Sequence, residues 1–392
     1  MIRNIKMYPV FTSKGSPTVK VKILTENGSY SASVPSGTSK GSHEAVELPV
    51  SKVLRFFSKV RPRFIGMDER NWESIDALLE ELDGTRDFSN IGENLALGVS
   101  IAAARACKKN ELWKLDSPGL TGVFPIPVAN IIGGGVHGGG ADWQEFLLIP
   151  HSARNPYEAI KDLSEAWITV GENLRDKKLL FGRNIENAWM ARLDNEKTLE
   201  MLSGYAEDFS MKLGVDFAAS ELWNGKVYRY PKSGREIKPG RYLEEIEELA
   251  KRFKLYYLED PLHQDEFRQH KILTHSLGKG SLVVGDDLYC TNSERFREGI
   301  KHSSTNAILV KPNQTGTLTR TREVVMMARD SGIAVIPSHR SGETDDDWLA
   351  DLAVTWDSPL IKSGISGLDM PKLNRLLEIW EEIPKARMAK LP

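Results

Sequence analysis

The sequence predicts an α/β protein in which a small α+β unit precedes a larger β/α barrel or doubly wound sheet. Three observations predict it. A period-two apolar pattern near the start signals a β-hairpin. From about residue 212 onward, short apolar runs alternate with amphipathic helical patterns, the signature of β/α units. The length, 392 residues, is about that of two domains.

The elements follow in order. Residues 17–34, PTVKVKILTENGSYSASV, alternate apolar and polar positions and are interrupted by Glu26, Asn27 and Gly28, a turn signal. NLALGVSIAAARACKKNELWKL, residues 94–115, has helical periodicity. The turn-rich DSPGLTGVFP then places a domain boundary at about residue 122, giving units 1–122 and 123–392. FPIPVANIIGG and EFLLIP are separated by a glycine-rich stretch too short for a helical crossover, so they are expected to pair antiparallel. Helical segments are predicted over 157–178 and 196–211. Beyond them KLGVDFAAS, KLYYLEDP, SLVVGDDL, NAILVKPN, IAVIPSHRSG and PLIKSG read as strands, with helices such as RYLEEIEELAKRF and TLTRTREVVMMARDSG between them.

Composition excludes several classes. With 27% charged residues and a net charge of −2, the chain has no general attraction for nucleic acid or an anionic membrane. Its two cysteines, Cys107 and Cys290, provide neither a disulfide framework nor a cysteine metal site, which fits a reducing cytoplasm. No apolar run approaches the roughly 20 residues of a membrane span, and MIRNIKMYPVFTSKG lacks a signal-peptide core. A soluble, unprocessed cytoplasmic protein is expected.

Each late apolar run ends on a charge: Asp216, Glu259, Asp286, Lys311, the His339–Arg340 pair and Lys362, about one β/α unit apart. In a barrel these ends converge on one face, where chemistry is built. A single such acid more often caps the following helix, as Asn292 and Ser293 of CTNSERF are expected to do; three in successive units point elsewhere. Three carboxylates make an oxygen-only cage suited to a hard divalent cation, Mg²⁺ above all. Asp287, beside Asp286, is expected to orient Lys311 or another basic neighbour. Lys311, Arg340 and Lys362 stand where an anionic substrate would meet the metal. Flanking cations would lower the pKa of Lys311 and suit it as a general base, while Arg340 can clamp phosphate bidentately.

Several stretches resemble the enolase family. SVPSGTSKGSHEAVEL resembles its mobile serine-containing loop, GGGVHGGGADWQEFLLIP its Gly-His-Gly and Gln-Glu-Phe motifs, and LEDPLHQDEF, VVGDDLYCTN, LVKPNQTGT and SHRSGETDDDWLADLAV four further motifs in the same order. The resemblance implies an enolase-type barrel with one antiparallel strand, a capping α+β domain with a lid over 36–43, and usually a homodimer. It implies Mg²⁺-dependent, reversible dehydration of 2-phosphoglycerate to phosphoenolpyruvate, the hydro-lyase step of glycolysis and gluconeogenesis. By matched motifs Asp216, Glu259 and Asp286 would hold one Mg²⁺ and Ser39 would bring a second with substrate. Lys311 would remove the C2 proton, Lys362 would stabilise the enolate, and Arg340 and Ser341 would hold the phosphate. Glu145 matches one proton donor of the family, and Glu186 is the best candidate for the other. His137 is expected to contact substrate or lid, or to be structural.

Three segments depart from the family pattern. The loop usually reading Gly-Asp-Glu-Gly-Gly is NIENA here, with Asn187 and Ala188 replacing glycines, so Glu186 is expected to be held differently. Asp-Ser-Arg-Gly is TSKG at Thr12–Gly15, and Arg-Ser-Glu-Arg is GLDM at Gly367–Met370. These changes keep two alternatives open: an enolase-like protein acting on another carboxylate, or one with a non-catalytic binding role. Gly133, Gly135 and Gly138 formally fit a dinucleotide fingerprint, but the next segment reads as strand where that motif needs a helix.

Overall fold

A computed structural model describes residues 1–37, 43–116 and 121–392. Ser39 and most of the expected lid lie outside the described residues.

The chain opens with a three-stranded antiparallel sheet, Ile2–Phe11, Pro17–Thr25 and Ser29–Ser33, whose second turn falls at Glu26–Gly28 as predicted. The first strand was not anticipated. Helices Val50–Val60, Trp72–Asp83 and Glu93–Lys108 accompany this sheet. Asn71 caps the second helix by accepting the Ser74 N–H, and Gly84, at φ 68°, ends it. The third is apolar nearly all round because it is buried nearly all round. Gly98 permits its close approach to the sheet: a Cβ there would lie 2.8 Å from Val21 Cγ2.

Eight strands then close a ring among the described residues: Ile126–Gly133, Glu145–Ile149, Lys212–Asp216, Tyr257–Glu259, Leu282–Gly285, Ala307–Val310, Ala334–Pro337 and Leu360–Lys362. The second runs antiparallel to both neighbours, and the other ring pairings are parallel. The ring closes where Leu360–Lys362 pairs with Ile126–Val128 and Lys362 bridges to Ser338. Val128, Leu147, Tyr257, Val284, Leu309 and Leu360 fill its interior, and a larger apolar layer joins its outside to the helices. Each such side chain withdrawn from water contributes roughly 1.5–3 kcal/mol. The helices predicted at 157–178 and 196–211 occupy Pro156–Asp176 and Asn195–Asp208. An unpredicted hairpin, Leu180–Arg183 with Trp189–Ala191, is added to the rim. The described helices include none long and apolar enough to cross a membrane.

The N-terminal sheet is fastened over the C-terminal loops of the ring. Arg105 pairs with Asp346 at 2.8 Å, Trp348 Nε1 donates to Ser33 O at 3.1 Å, and Ser36 and Gly342 exchange backbone hydrogen bonds at 2.9 Å. These ties bring Gly37 to the mouth of a pocket at the end of the ring.

His270, buried in helix Phe267–Leu277, has Nδ1 2.9 Å from Glu266 O, and burial pushes its pKa down from 6.5 to about 4. The unfolded chain therefore binds a proton at higher pH than the folded one, so protons favour unfolding. Stability is expected to fall by on the order of 3 kcal/mol from this group as pH drops from 6.5 to 4. Urea unfolding across that window should show a shallower fall in His270→Leu; an unchanged slope would contradict the assignment.

Candidate active site

Strand geometry gathers the predicted charges at one end of the ring. Asp216, Glu259 and Lys362 end their strands, and Asp286 and Lys311 follow directly on Gly285 and Val310. Glu145 reaches the same rim because it begins the antiparallel strand, opposite Asp216 and Gly133.

At the centre lies the Lys362 ammonium. It is 3.0 Å from Asp216 Oδ2, 2.7 Å from both oxygens of Glu259 and 3.1 Å from Glu145 Oε2. The Tyr257 hydroxyl donates to Glu259 Oε2 at 2.8 Å. All four charged groups are buried. Burial opposes the charge on Lys362, but Asp216, Glu145 and Glu259 override it and hold its pKa well above the ordinary value. Glu145 is pushed up to about 7 by burial, with Glu186 and Asp216 adding to the rise and Lys362 opposing it.

Lys311 donates to Asp286 Oδ2. This corrects two expectations. Burial works to lower the Lys311 pKa, with Arg340 and Lys362 adding to it, but the Asp286 and Glu259 carboxylates together outweigh them, so the net shift is upward. Asp286, and not Asp287, orients the lysine. The backbone N–H groups of Asp286 and Asp287 instead donate to the Asp260 carboxylate at 2.9 and 2.6 Å. Asp260, which carried no predicted role, adopts φ 38° to reach them. Burial pushes Asp287 up to about 7, with Asp286 adding to the effect.

Glu186 sits in the turn of the added hairpin and enters the pocket. Its Oε2 accepts from Asn130 Nδ2 at 3.3 Å and lies 3.6 Å from His137 Nδ1. Asn187 retains a left-handed φ of 62°, which asparagine tolerates, and Asn184 Oδ1 braces the turn by accepting from Glu186 N and Ala188 N at 3.0 and 2.9 Å. His137 stands on a glycine-rich bend where Gly134 is obligatory, since a Cβ there would be 2.3 Å from Trp143 O. Burial lowers the His137 pKa. The segment following this bend is the strand Glu145–Ile149, so the dinucleotide motif is absent.

Arg340 spreads its guanidinium over Glu44, with Nη1 and Nη2 each 3.1 Å from Oε2, and Nη1 donates to Asn313 Oδ1 at 2.8 Å. Gly37 admits the fork; a Cβ would lie 1.8 Å from Nη2. Lys14 Nζ, in the divergent TSKG segment, donates to Ser341 Oγ at 3.3 Å. The sequence reading missed Glu44 and Lys14, because neither continues a strand whose direction would aim it at the pocket.

The residues present fit a hard divalent cation. Asp286 Oδ1 is buried with no hydrogen-bond partner, and Asp260, Asp286 and Asp287 each offer an oxygen within 4.8 Å of the others. Asp216 and Glu259, predicted as ligands with Asp286, converge on Lys362 instead. His137, Glu145 and Glu186 form a second compact group. Such a surplus of buried carboxylate favours added positive charge.

Two family profiles cover nearly the whole chain: the enolase N-terminal domain over residues 2–115 and the enolase C-terminal TIM barrel domain over 121–390. The chain belongs to the enolase family. It is 37% identical over 412 residues to an enolase of Methanothermobacter thermautotrophicus, covering 100% of this chain and 99% of the relative. An enolase of Archaeoglobus fulgidus is 37% identical over 404 residues, with 100% of each covered. Enolase B of Dictyostelium discoideum is 35% identical over 429 residues, with 98% and 95% covered. The two profiles match the N-terminal α+β unit and the barrel in turn.

Removing the central cation should expose the cost of the cage. Lys362→Met leaves Glu145, Asp216 and Glu259 buried without their counter-charge, and the unfolding free energy at pH 7 is expected to drop by roughly 3–5 kcal/mol. A drop below about 1 kcal/mol in urea titration would contradict this balance.

Proposed function

We propose that the chain catalyses Mg²⁺-dependent, reversible dehydration of 2-phosphoglycerate to phosphoenolpyruvate. The observation that carries the reading is one pocket lined by a lysine, Lys311, and by two carboxyl groups, Glu145 and Glu186. Such an elimination needs a base for the C2 proton and an acid for the departing C3 hydroxyl.

Asp216, Glu259 and Asp286, with Asp260 and Asp287 behind Asp286, would hold the resident Mg²⁺, and Ser39 a second recruited with substrate. When bound, Mg²⁺ supplies electrostatic stabilisation of the charge that builds on the substrate carboxylate. Lys311 takes the C2 proton in the forward direction once the Asp286 carboxylate is engaged elsewhere, and returns it in reverse. Lys362 adds a fixed positive charge beside the developing enolate. Glu145, pushed up to about 7, is poised to exchange a proton near neutral pH and so to give one to the leaving hydroxyl, with Glu186 and His137 beside it. Arg340, Ser341 and Lys14 would receive the phosphate, Arg340 after exchanging Glu44 for it. The reading carries with it a division near residue 122, a lid over 36–43, a cytoplasmic location and a homodimer.

One observation favours a second reading. Glu44 already fills the Arg340 fork, which suits a protein acting on a carboxylate without phosphate.

Ultraviolet absorbance of the enol phosphate formed from 2-phosphoglycerate tests both. Metal-dependent turnover is expected in the parent, with a loss on the order of 10²–10⁴-fold or more in Lys311→Ala. Turnover unchanged by Lys311→Ala, or none in the parent with Mg²⁺ bound, would contradict the reading and turn the search to other carboxylates.

A further inference from the structure

Two of the three segments in which this chain departs from its family pattern, the Glu186 turn and Gly367–Met370, meet each other. Gly367, at φ 66°, carries the Asn187 amide against it: a Cβ at Gly367 would lie 2.4 Å from Asn187 Nδ2. Gly364 leaves room for the Asp369 carboxylate, whose Oδ2 is 2.4 Å from where its Cβ would stand, and the Glu186 carbonyl is 3.3 Å from the same point. The turn that presents Glu186 and the segment that presents Asp369 are thus packed as one unit.

Asp369 is aimed at His339. Its Oδ1 lies 2.8 Å from His339 Nδ1, both side chains are buried, and the His339 backbone N–H is fixed by donating to Lys362 O at 3.0 Å. Behind Asp369, Lys372 is almost wholly enclosed. It lies 3.5 Å from Asp369 Oδ1 and 3.0 Å from Glu343 Oε2, and donates to Leu368 O at 3.0 Å. Glu343 in turn accepts the Arg340 backbone N–H at 2.8 Å. A carboxylate accepting at Nδ1 leaves Nε2, on the opposite edge of the ring, to the pocket that His339 lines. The ionisable groups surrounding the ring are Asp369 and Lys372 below, Lys362 beside it, and Glu145, Glu186 and His137 across the pocket.

We propose that Asp369, braced by Lys372, is a positioning residue for His339. It holds the ring by Nδ1 so that Nε2–H is presented to the Glu145–Glu186 side of the pocket, where it donates a hydrogen bond to the hydroxyl that leaves the substrate. The role rests on the dehydration proposed above. Burial works to discharge this imidazole, but Asp369, with Glu186 and Glu145 adding to it, overrides burial and brings the His339 pKa up to about 9, so the donor is retained at neutral pH.

The test uses the full chain with Mg²⁺ and 2-phosphoglycerate. In Asp369→Asn, kcat is expected to fall on the order of 10- to 100-fold with KM changed less than about threefold, and the alkaline limb of the pH profile to move to lower pH. The double variant Asp369→Asn/His339→Gln should be no slower than His339→Gln alone. Turnover within twofold of the parent, or losses that multiply in the double variant, would overturn the proposal. Should Asp369→Asn fail to fold, Lys372→Met, which leaves Asp369 in place, is read by the same criteria. Spectra of ¹⁵N-histidine-labelled parent and variant decide the matter without turnover: His339 doubly protonated at pH 7.5 in the parent and neutral in Asp369→Asn supports the positioning role, and a neutral ring in both overturns it. A parent that leaves 2-phosphoglycerate unchanged while showing the first pattern defeats the dehydration reading and spares the Asp369–His339 arrangement.

Discussion

The buried ammonium of Lys362 is the interaction on which the rest depends. Three carboxylates taken out of water would each cost several kcal/mol, and only a cation at their centre makes the burial tolerable. Lys362 is also the last residue of the last ring strand. Its backbone joins Val128 of the first strand and bridges to Ser338, the residue that follows the strand before it. Ring closure and charge compensation therefore fall on a single residue, which couples the barrel's topology to its chemistry.

Around that centre the pocket divides by charge partner. Asp286 pairs with Lys311 through Oδ2 on one side, with Asp260 fixing the backbone that carries Asp286. On the other side Glu145, Glu186 and His137 cluster, and burial, with Glu186 and Asp216 adding to it, raises Glu145 towards neutral pH against the pull of Lys362. One reversed strand makes this division possible: were Glu145–Ile149 parallel to its neighbours, Glu145 would start at the opposite end of the ring. Direction, more than residue type, decides which carboxyl reaches the pocket here.

Much of this was legible because strand ends are legible. Asp216, Glu259, Asp286, Lys311 and Lys362 each close a recognisable apolar run, and a barrel must bring such ends together. The antiparallel second strand was readable from a connection too short for a helix. What the sequence hid were pairings between segments remote in the chain. Nothing local joins Glu44 to Arg340, Lys14 to Ser341, or Asp369 to His339, since loops and short helices carry no periodicity to aim their side chains. The net electrostatics of Lys311 were hidden for the same reason. Counting cations along the chain suggested a lowered pKa, whereas the Asp286 carboxylate in direct contact, with Glu259 nearby, reverses the sum. At the Glu186 turn the rule applied too coarsely was that φ>0 needs glycine; Asn187 meets the same backbone demand and adds an amide that packs on Gly367.

The central claim is that Asp286, whose Oδ1 lacks a hydrogen-bond partner, stands with Asp260 and Asp287 ready for a divalent cation. Calorimetric titration of the parent and of Asp286→Asn with Mg²⁺ measures it directly, without a substrate. The account predicts a saturable one-site heat in the parent that is abolished or weakened at least about tenfold in the variant, the scale of one lost charged ligand. Absence of Mg²⁺ binding in the parent, or equal binding in the two proteins, would contradict it.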